Sequence, residues 1–267
     1  MTSAIVNVVF AMFLITAAAV EAQEIVTLSA RDRVTQSFLL TVPAGGKPEA
    51  AAVLFPGGSG LIRLRNEGEG IQFGEGNFLV RSRQLFVERG VATAVMDTPS
   101  DQAQGMDDWF RLGDQHAADV TAVVTELKKR FGNIPILLVG TSRGSISVAS
   151  LGRRLGHNVA GAILTSTLFY GGNRFGPALN GFDFSKISTP VLVVHHINDG
   201  CIESPYHEAK RLAETRRYPL ITVSGGKPPT SGPCEPLSPH GYLGKEPETV
   251  DAIVNWILKK PYPTNIE

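Results

Sequence analysis

Apolar residues along this chain follow two alternating rhythms. Short runs that are continuously apolar, or apolar at every second position, lie at 24–29, 34–42, 51–56 (AAVLFP), 91–96 (VATAVM), 135–140, 159–165, 190–196 (PVLVVHH) and 218–223. Such runs predict strands, half-buried where they alternate and buried on both faces where they do not. Between them, apolar residues recur at three- and four-residue spacing, the mark of amphipathic helices. Asn77 is placed to cap a helix over Phe78–Arg89 that stops at Gly90, and Asp107 or Asp108 opens a long helix ending at Arg130. Further helices are predicted over Arg143–Leu155, 204–214 and 247–259. The first two strands follow one another closely and read as an antiparallel entry hairpin. The later alternation of strand and helix predicts an α/β fold: a mostly parallel eight-stranded sheet with helices on both faces.

The N-terminus breaks this rhythm. Ala4 to Val20 is almost continuously apolar, and Val20-Glu21-Ala22 places small residues at the −3 and −1 positions of a cleavage site before Gln23. Residues 1–22 therefore read as a secretory signal peptide, too short for a typical membrane span, with an uncleaved anchor as the alternative. The remainder, 23–267, is long enough for one α/β domain with a substantial core, and no linker interrupts it. The expected location is secreted or periplasmic. The chain carries 25 basic and 25 acidic side chains, and loss of the leader removes only Glu21, for a net charge of +1. That balance gives no electrostatic case for nucleic acid or an anionic membrane surface. No metal-ligand spacing of Cys and His and no phosphate-binding glycine loop stands out, so neither metal nor organic cofactor is expected.

Candidate chemistry concentrates after the fifth strand. Pro135–Val139 leads directly into Gly140-Thr141-Ser142-Arg143-Gly144, and a helical pattern follows. A G-x-S-x-G turn between a buried strand and a helix projects the serine Oγ out of the sheet. Ser142 is thus the candidate nucleophile, the plain alternative being an ordinary helix N-cap. Ser145 lies within the helix, where no turn exposes it. Acyl transfer by a serine also needs a base, an acid that orients the base, and donors for the oxyanion.

The strand order and this turn resemble the α/β-hydrolase superfamily over residues 24–260. The resemblance implies the α/β-hydrolase fold and the chain order Ser, then Asp or Glu, then His. Asp199, in His195-His196-Ile197-Asn198-Asp199-Gly200-Cys201 after the seventh strand, is the acid candidate, with Glu203 its rival. Asn-Asp-Gly is also ordinary turn chemistry. His240, in Pro239-His240-Gly241-Tyr242 before the final helix, is the base candidate. His195 and His196 end a strand, so one is expected to face the cleft and the other to pack beneath it, both in support of the site, and His116, His157 and His207 are expected to serve packing or surface roles. One oxyanion donor is expected at the Arg143 N–H. The other falls in Phe55-Pro56-Gly57-Gly58-Ser59-Gly60, with Gly58 first and Ser59 second. Superfamily members often carry His-Gly there, where this chain has Pro56-Gly57.

Cys201 and Cys234 form an even pair in an exported chain and read as a disulfide, the alternative being two buried thiols. Pairing would tie the acid loop to the histidine loop. Residues 60–76 and 97–101 border the expected site, as a flap and as a pocket edge or simply as surface turns. The Arg143 side chain reads as a structural ion pair before a substrate contact. About 22 residues (168–189) separate the sixth and seventh strands, too few for a lid domain. The resemblance implies a lidless serine hydrolase, esterase-like and dienelactone-hydrolase-like, acting on a small-molecule ester, with no stable membrane association after cleavage. A peptidase of the same fold, a non-catalytic binding protein and a lyase are the rival readings.

Overall fold

The computed structural model describes residues 22–68, 70–172 and 175–267. The expected leader, Ala22 apart, lies outside the described residues. The strands are β1 (Ala22–Arg31), β2 (Val34–Val42), β3 (Ala50–Phe55), β4 (Arg65–Glu67), β5 (Gly70–Gln72), β6 (Val91–Met96), β7 (Ile136–Ser142), β8 (Gly161–Thr167), β9 (Val191–His196), β10 (Leu220–Val223) and β11 (Asn265–Ile266). Nine of them form one sheet in the order β1-β2-β6-β3-β7-β8-β9-β10-β11. β2 pairs antiparallel with β1 and with β6, and every other neighbour pairs parallel.

The apolar runs explain this sheet. In β3, Ala51, Val53 and Phe55 enter the cluster on one face while Ala50, Ala52 and Leu54 enter the cluster on the other. Helices α4 (Asp114–Phe131), α5 (Gly144–Leu155) and α6 (Tyr206–Arg216) cover the first face with Val120, Val123, Leu127, Ile146, Leu151 and Leu212. Helices α1 (Phe78–Arg81), α2 (Arg83–Val87) and α7 (Glu246–Ile257) cover the second with Phe78, Phe86, Val250 and Ile253. Full burial of such side chains stabilises by roughly 1.5–3 kcal/mol each.

Two predicted helices are broken. Ser82, at φ −96° and ψ 1°, divides the expected 78–89 helix into α1 and α2. Gly113, extended at φ −84° and ψ 168°, separates α3 (Asp108–Leu112) from α4. The sheet also gains a ninth, two-residue edge strand, β11. Segment 60–76 forms the small antiparallel hairpin β4–β5, and its base is fixed by Asp97. Oδ1 of that residue accepts from the Ile62 N–H at 2.9 Å and Oδ2 from the Leu64 N–H at 2.8 Å. Between β8 and β9 the described residues hold a single 3₁₀ turn, Phe184–Lys186, and no α-helix. No described helix is long and apolar enough to cross a membrane.

Candidate active site

Ser142 ends β7 at φ 53°, a left-handed conformation that a side-chain-bearing residue adopts only under tertiary constraint. The flanking glycines supply that constraint. A Cβ on Gly140 would lie 2.3 Å from the Gly144 carbonyl oxygen, and one on Gly144 would lie 2.0 Å from that of Phe55. Only glycine fits at either position, so the turn from β7 into α5 stays sharp and Ser142 stands at the C-terminal edge of the sheet.

β9 and β10 deliver the other two residues to the same edge. His240 sits in a 3₁₀ turn, Pro239–Gly241, that Ser238 caps through its side chain. The His240 Nδ1 lies 2.8 Å from Asp199 Oδ2. The Asp199 side chain is fully buried, and its carboxylate is crowded with donors. Oδ1 accepts from the Cys201 N–H at 2.9 Å, Oδ2 from the Ser204 hydroxyl at 3.3 Å, and His195 Nε2 lies 3.3 Å from Oδ2. Burial alone would raise the Asp199 pKa; hydrogen bonds from His195 and His240 outweigh it and hold the carboxyl at about 2. With an ionised acceptor at Nδ1, His240 carries its proton there, which leaves Nε2 as an acceptor. That Nε2 is buried and has no hydrogen-bond partner among the described residues.

Ser142 and His240 face one cavity of about 320 Å³, walled by Gly57, Gly58, Asn77, Phe78, Glu235 and Pro236 among others. The two side chains are not hydrogen-bonded to one another. Gly60 N–H donates to the Gly57 carbonyl at 3.1 Å and closes a tight turn with Gly58 at φ 58°, where glycine is favoured. Because the Gly57–Gly58 peptide is trans, holding its carbonyl toward Gly60 turns the Gly58 N–H away from the turn. Gly58 lines the cavity, whereas Ser59 is exposed and stands off its wall. Arg143, the residue after Ser142, caps α5 and is itself in helical conformation.

Several supporting residues have no local sequence signal. Arg111, from α3, is fully buried; it donates through Nη1 to Ser147 Oγ at 2.9 Å and through Nη2 to the Gly58 carbonyl at 3.2 Å. It thereby bridges the 57–60 turn to the helix that follows Ser142. Burial pulls its pKa down to about 10, opposed by Asp108 and reinforced by Arg143. Asp108 forms a buried ion pair with the Arg143 guanidinium and also accepts from the Ala178 N–H at 2.8 Å. The Arg143 side chain is thus spent on structure. Tyr242 OH donates to the Val194 carbonyl at 2.8 Å and accepts from the Ser166 N–H at 3.0 Å. The Ser166 hydroxyl donates to the His240 carbonyl at 2.7 Å. Arg81 Nη2 donates to the Gly241 carbonyl at 2.6 Å. Cys201 and Cys234 are joined as a disulfide that links the Asp199 loop to the His240 loop. His196 donates through Nε2 to the Gly225 carbonyl at 3.1 Å and stays beneath the site.

A larger cavity of about 460 Å³ lies between the β8–β9 segment and α6, walled by Phe169, Tyr170, Phe182, Phe184, Glu208 and Arg211 among others. It contains neither Ser142 nor His240, and size alone does not make a reaction centre. The smaller cavity is the candidate.

Elbow, sheet order and loop placement together define an α/β-hydrolase. The chain belongs to the family described as serine aminopeptidase, S33, whose profile matches residues 84–227, just over half of its length. Among curated proteins none matches it in sequence. Solved structures share the fold at low identity. Est1E from Butyrivibrio proteoclasticus aligns with a TM-score of 0.60 at 17% identity, covering 88% of this chain and 98% of its own. XC6422 from Xanthomonas campestris, described as an α/β serine hydrolase without lid, gives 0.58 at 15%, covering 89% and 94%. A cold-adapted esterase from an Arctic intertidal metagenomic library gives 0.56 at 16%, covering 90% and 93%.

Proposed function

We propose that this hydrolase cleaves carboxylic esters through Ser142, His240 and Asp199. The observation that carries the reading is the pairing of His240 Nδ1 with the buried Asp199 carboxylate at 2.8 Å, while Nε2 is left unpartnered beside the cavity that Ser142 faces. Ser142 Oγ attacks the ester carbonyl carbon and its proton passes to His240 Nε2. The tetrahedral oxyanion is met by the N–H groups of Arg143 and Gly58. The C–O bond to the alcohol breaks, and the departing oxygen takes the proton from Nε2. Water then repeats the sequence, giving its proton to Nε2 and releasing the carboxylic acid and free Ser142. Asp199 remains ionised throughout and stabilises the imidazolium.

The short excursion between β8 and β9 favours an open cleft and soluble esters of short or aromatic acids. Ferulic acid is bound in one structure of Est1E, a fold neighbour at 16% identity and TM-score 0.62. The apolar leader supports export to the periplasm or beyond. A second reading, peptidase, is favoured by the family description and by Glu235 on the cavity wall, an anchor for a cationic amine. The test uses residues 23–267 with nitrophenyl esters of graded acyl length, aminoacyl nitroanilides in parallel, and Ser142→Ala alongside. Ester turnover that falls on the order of 10⁶-fold in Ser142→Ala is the expected result. Turnover of the nitroanilides alone favours the peptidase, and ester activity surviving in Ser142→Ala refutes the assignment.

A further inference from the structure

Asn77 was legible only as a helix cap, and capping uses only half of its amide. Its Oδ1 accepts from the Leu79 N–H at 3.1 Å. Because only the oxygen of an amide can accept from an N–H, this bond fixes which way the group is turned. The Nδ2 group therefore points away from α1, and it has no hydrogen-bond partner among the described residues. It belongs to the wall of the cavity that holds Ser142 and His240. Gly57 gives its position relative to the nucleophile. A Cβ placed on Gly57 would lie 3.3 Å from Asn77 Nδ2 and 3.0 Å from Ser142 Cβ, so those two atoms are within about 6 Å of each other.

An oxyanion formed by Ser142 lies one bond from the attacked carbon, with its donors at about 2.7–3.1 Å. A donor some 6 Å or less from the serine Cβ is within that reach. We infer that the Asn77 side-chain amide is a third donor to the oxyanion, beside the Arg143 and Gly58 N–H groups. The inference rests on the reading of Ser142 as nucleophile. The cap bond pre-orients the amide, so no rotamer freedom is lost as charge develops. The absence of a Cβ on Gly57 leaves the space between Asn77 and Ser142 clear.

Asn77→Asp and Asn77→Ser test this, because Asp and Ser cap a helix about as well as Asn and both lack the NH₂ donor. Melting temperature, kcat and KM on a nitrophenyl ester, and the rate of labelling by a fluorophosphonate are measured on the same preparations. Labelling displaces fluoride from phosphorus by Ser142 Oγ and needs no knowledge of the natural substrate. The expected result is a melting temperature near that of wild type, with kcat and labelling rate both down about 10²-fold and KM little changed. Wild-type kcat and labelling in either folded variant overturns the inference. A loss of kcat that only parallels a loss of melting temperature assigns Asn77 to the cap and overturns it as well. Ser142→Ala separates the two claims: if that variant still turns over ester, the function reading falls too, and if it is dead while Asn77→Asp is fully active, only the third donor falls.

Discussion

Removing the Cys201–Cys234 disulfide should cost stability and activity together. The bond spans 33 positions. Chain-entropy reasoning values a closed loop of that length at roughly 3–4 kcal/mol through the unfolded state. For a domain of this size 1 kcal/mol corresponds to about 2–4 °C, so Cys201→Ser/Cys234→Ser should melt some 6–16 °C lower. Activity should follow because both ends of the bond reach the site. The Cys201 N–H donates to Asp199 Oδ1 at 2.9 Å, and Cys234 lies on the cavity wall six residues before His240. Loss of 1.4 kcal/mol in the alignment of these loops lowers kcat tenfold. The assay is a thermal melt and ester kinetics on oxidised, reduced and doubly substituted protein, with thiol alkylation and mass measurement to count sulfhydryls. Two alkylated thiols with unchanged melting temperature and kcat would refute the argument. A lower melting temperature with intact kcat at 20 °C would confine the disulfide to stability and refute the coupling.

Three further outcomes follow from the same geometry. Asp199→Asn keeps the shape but presents an NH₂ to His240 Nδ1, and the inverted tautomer should lower kcat about 10⁴-fold with little change in KM; retention of kcat would remove Asp199 from the proposed mechanism. His116 is fully buried between Phe55 and Phe110, and burial first, then Arg111 and Arg31, push its pKa down to about 3. The folded state therefore holds it neutral, so its contribution is complete above about pH 6.5 and is lost as pH falls toward 3, about 2 kcal/mol by pH 5. His116→Leu should flatten the fall in melting temperature between pH 7.5 and 5, and an equal fall in variant and wild type would refute the assignment. Arg111→Met removes the donor to the Gly58 carbonyl and should lower kcat about tenfold or more while changing the melting temperature little, since burying the guanidinium is itself costly. A wild-type kcat in that variant would detach Arg111 from the proposed oxyanion role of the 57–60 turn.

The sheet was legible because its central strands are buried on both faces and so are nearly continuous apolar runs, as in Val91–Met96 and Val191–His196. β4 and β5 were not, because three residues apiece, all exposed but the half-buried Ile71, carry no apolar rhythm, and β11 is shorter than any pattern. The breaks at Ser82 and Gly113 were missed for a different reason: the helical periodicity runs on through both, and only tertiary packing decides the local conformation. At the site, Ser142 was marked by two glycines whose necessity is local, and Asp199 and His240 by their order after successive strands. Arg111, Tyr242, Arg81 and the free half of Asn77 act across 36 to 160 positions of sequence or across a cavity. Contacts of that kind leave no spacing to read.

The long-range contacts also bear on why so much charge and polarity is buried at one edge of the sheet. The side chains of Asp199, Arg111 and the Asp108–Arg143 pair are all buried, and isolated burial of any of them would cost several kcal/mol. Apolar residues of similar volume would stabilise the fold at least as well. Each of these groups instead fixes a particular backbone or side-chain atom: Asp199 the His240 ring, Arg111 the Gly58 carbonyl, Asp108 the residue that follows Ser142. A hydrogen bond constrains direction as well as distance, which apolar packing does not. Buried charge at this edge therefore gives up stability for orientation. If orientation is its role, substitutions in this set should separate kcat from melting temperature far more than substitutions of core residues such as Val53 or Leu54, which carry no directional contact to the site.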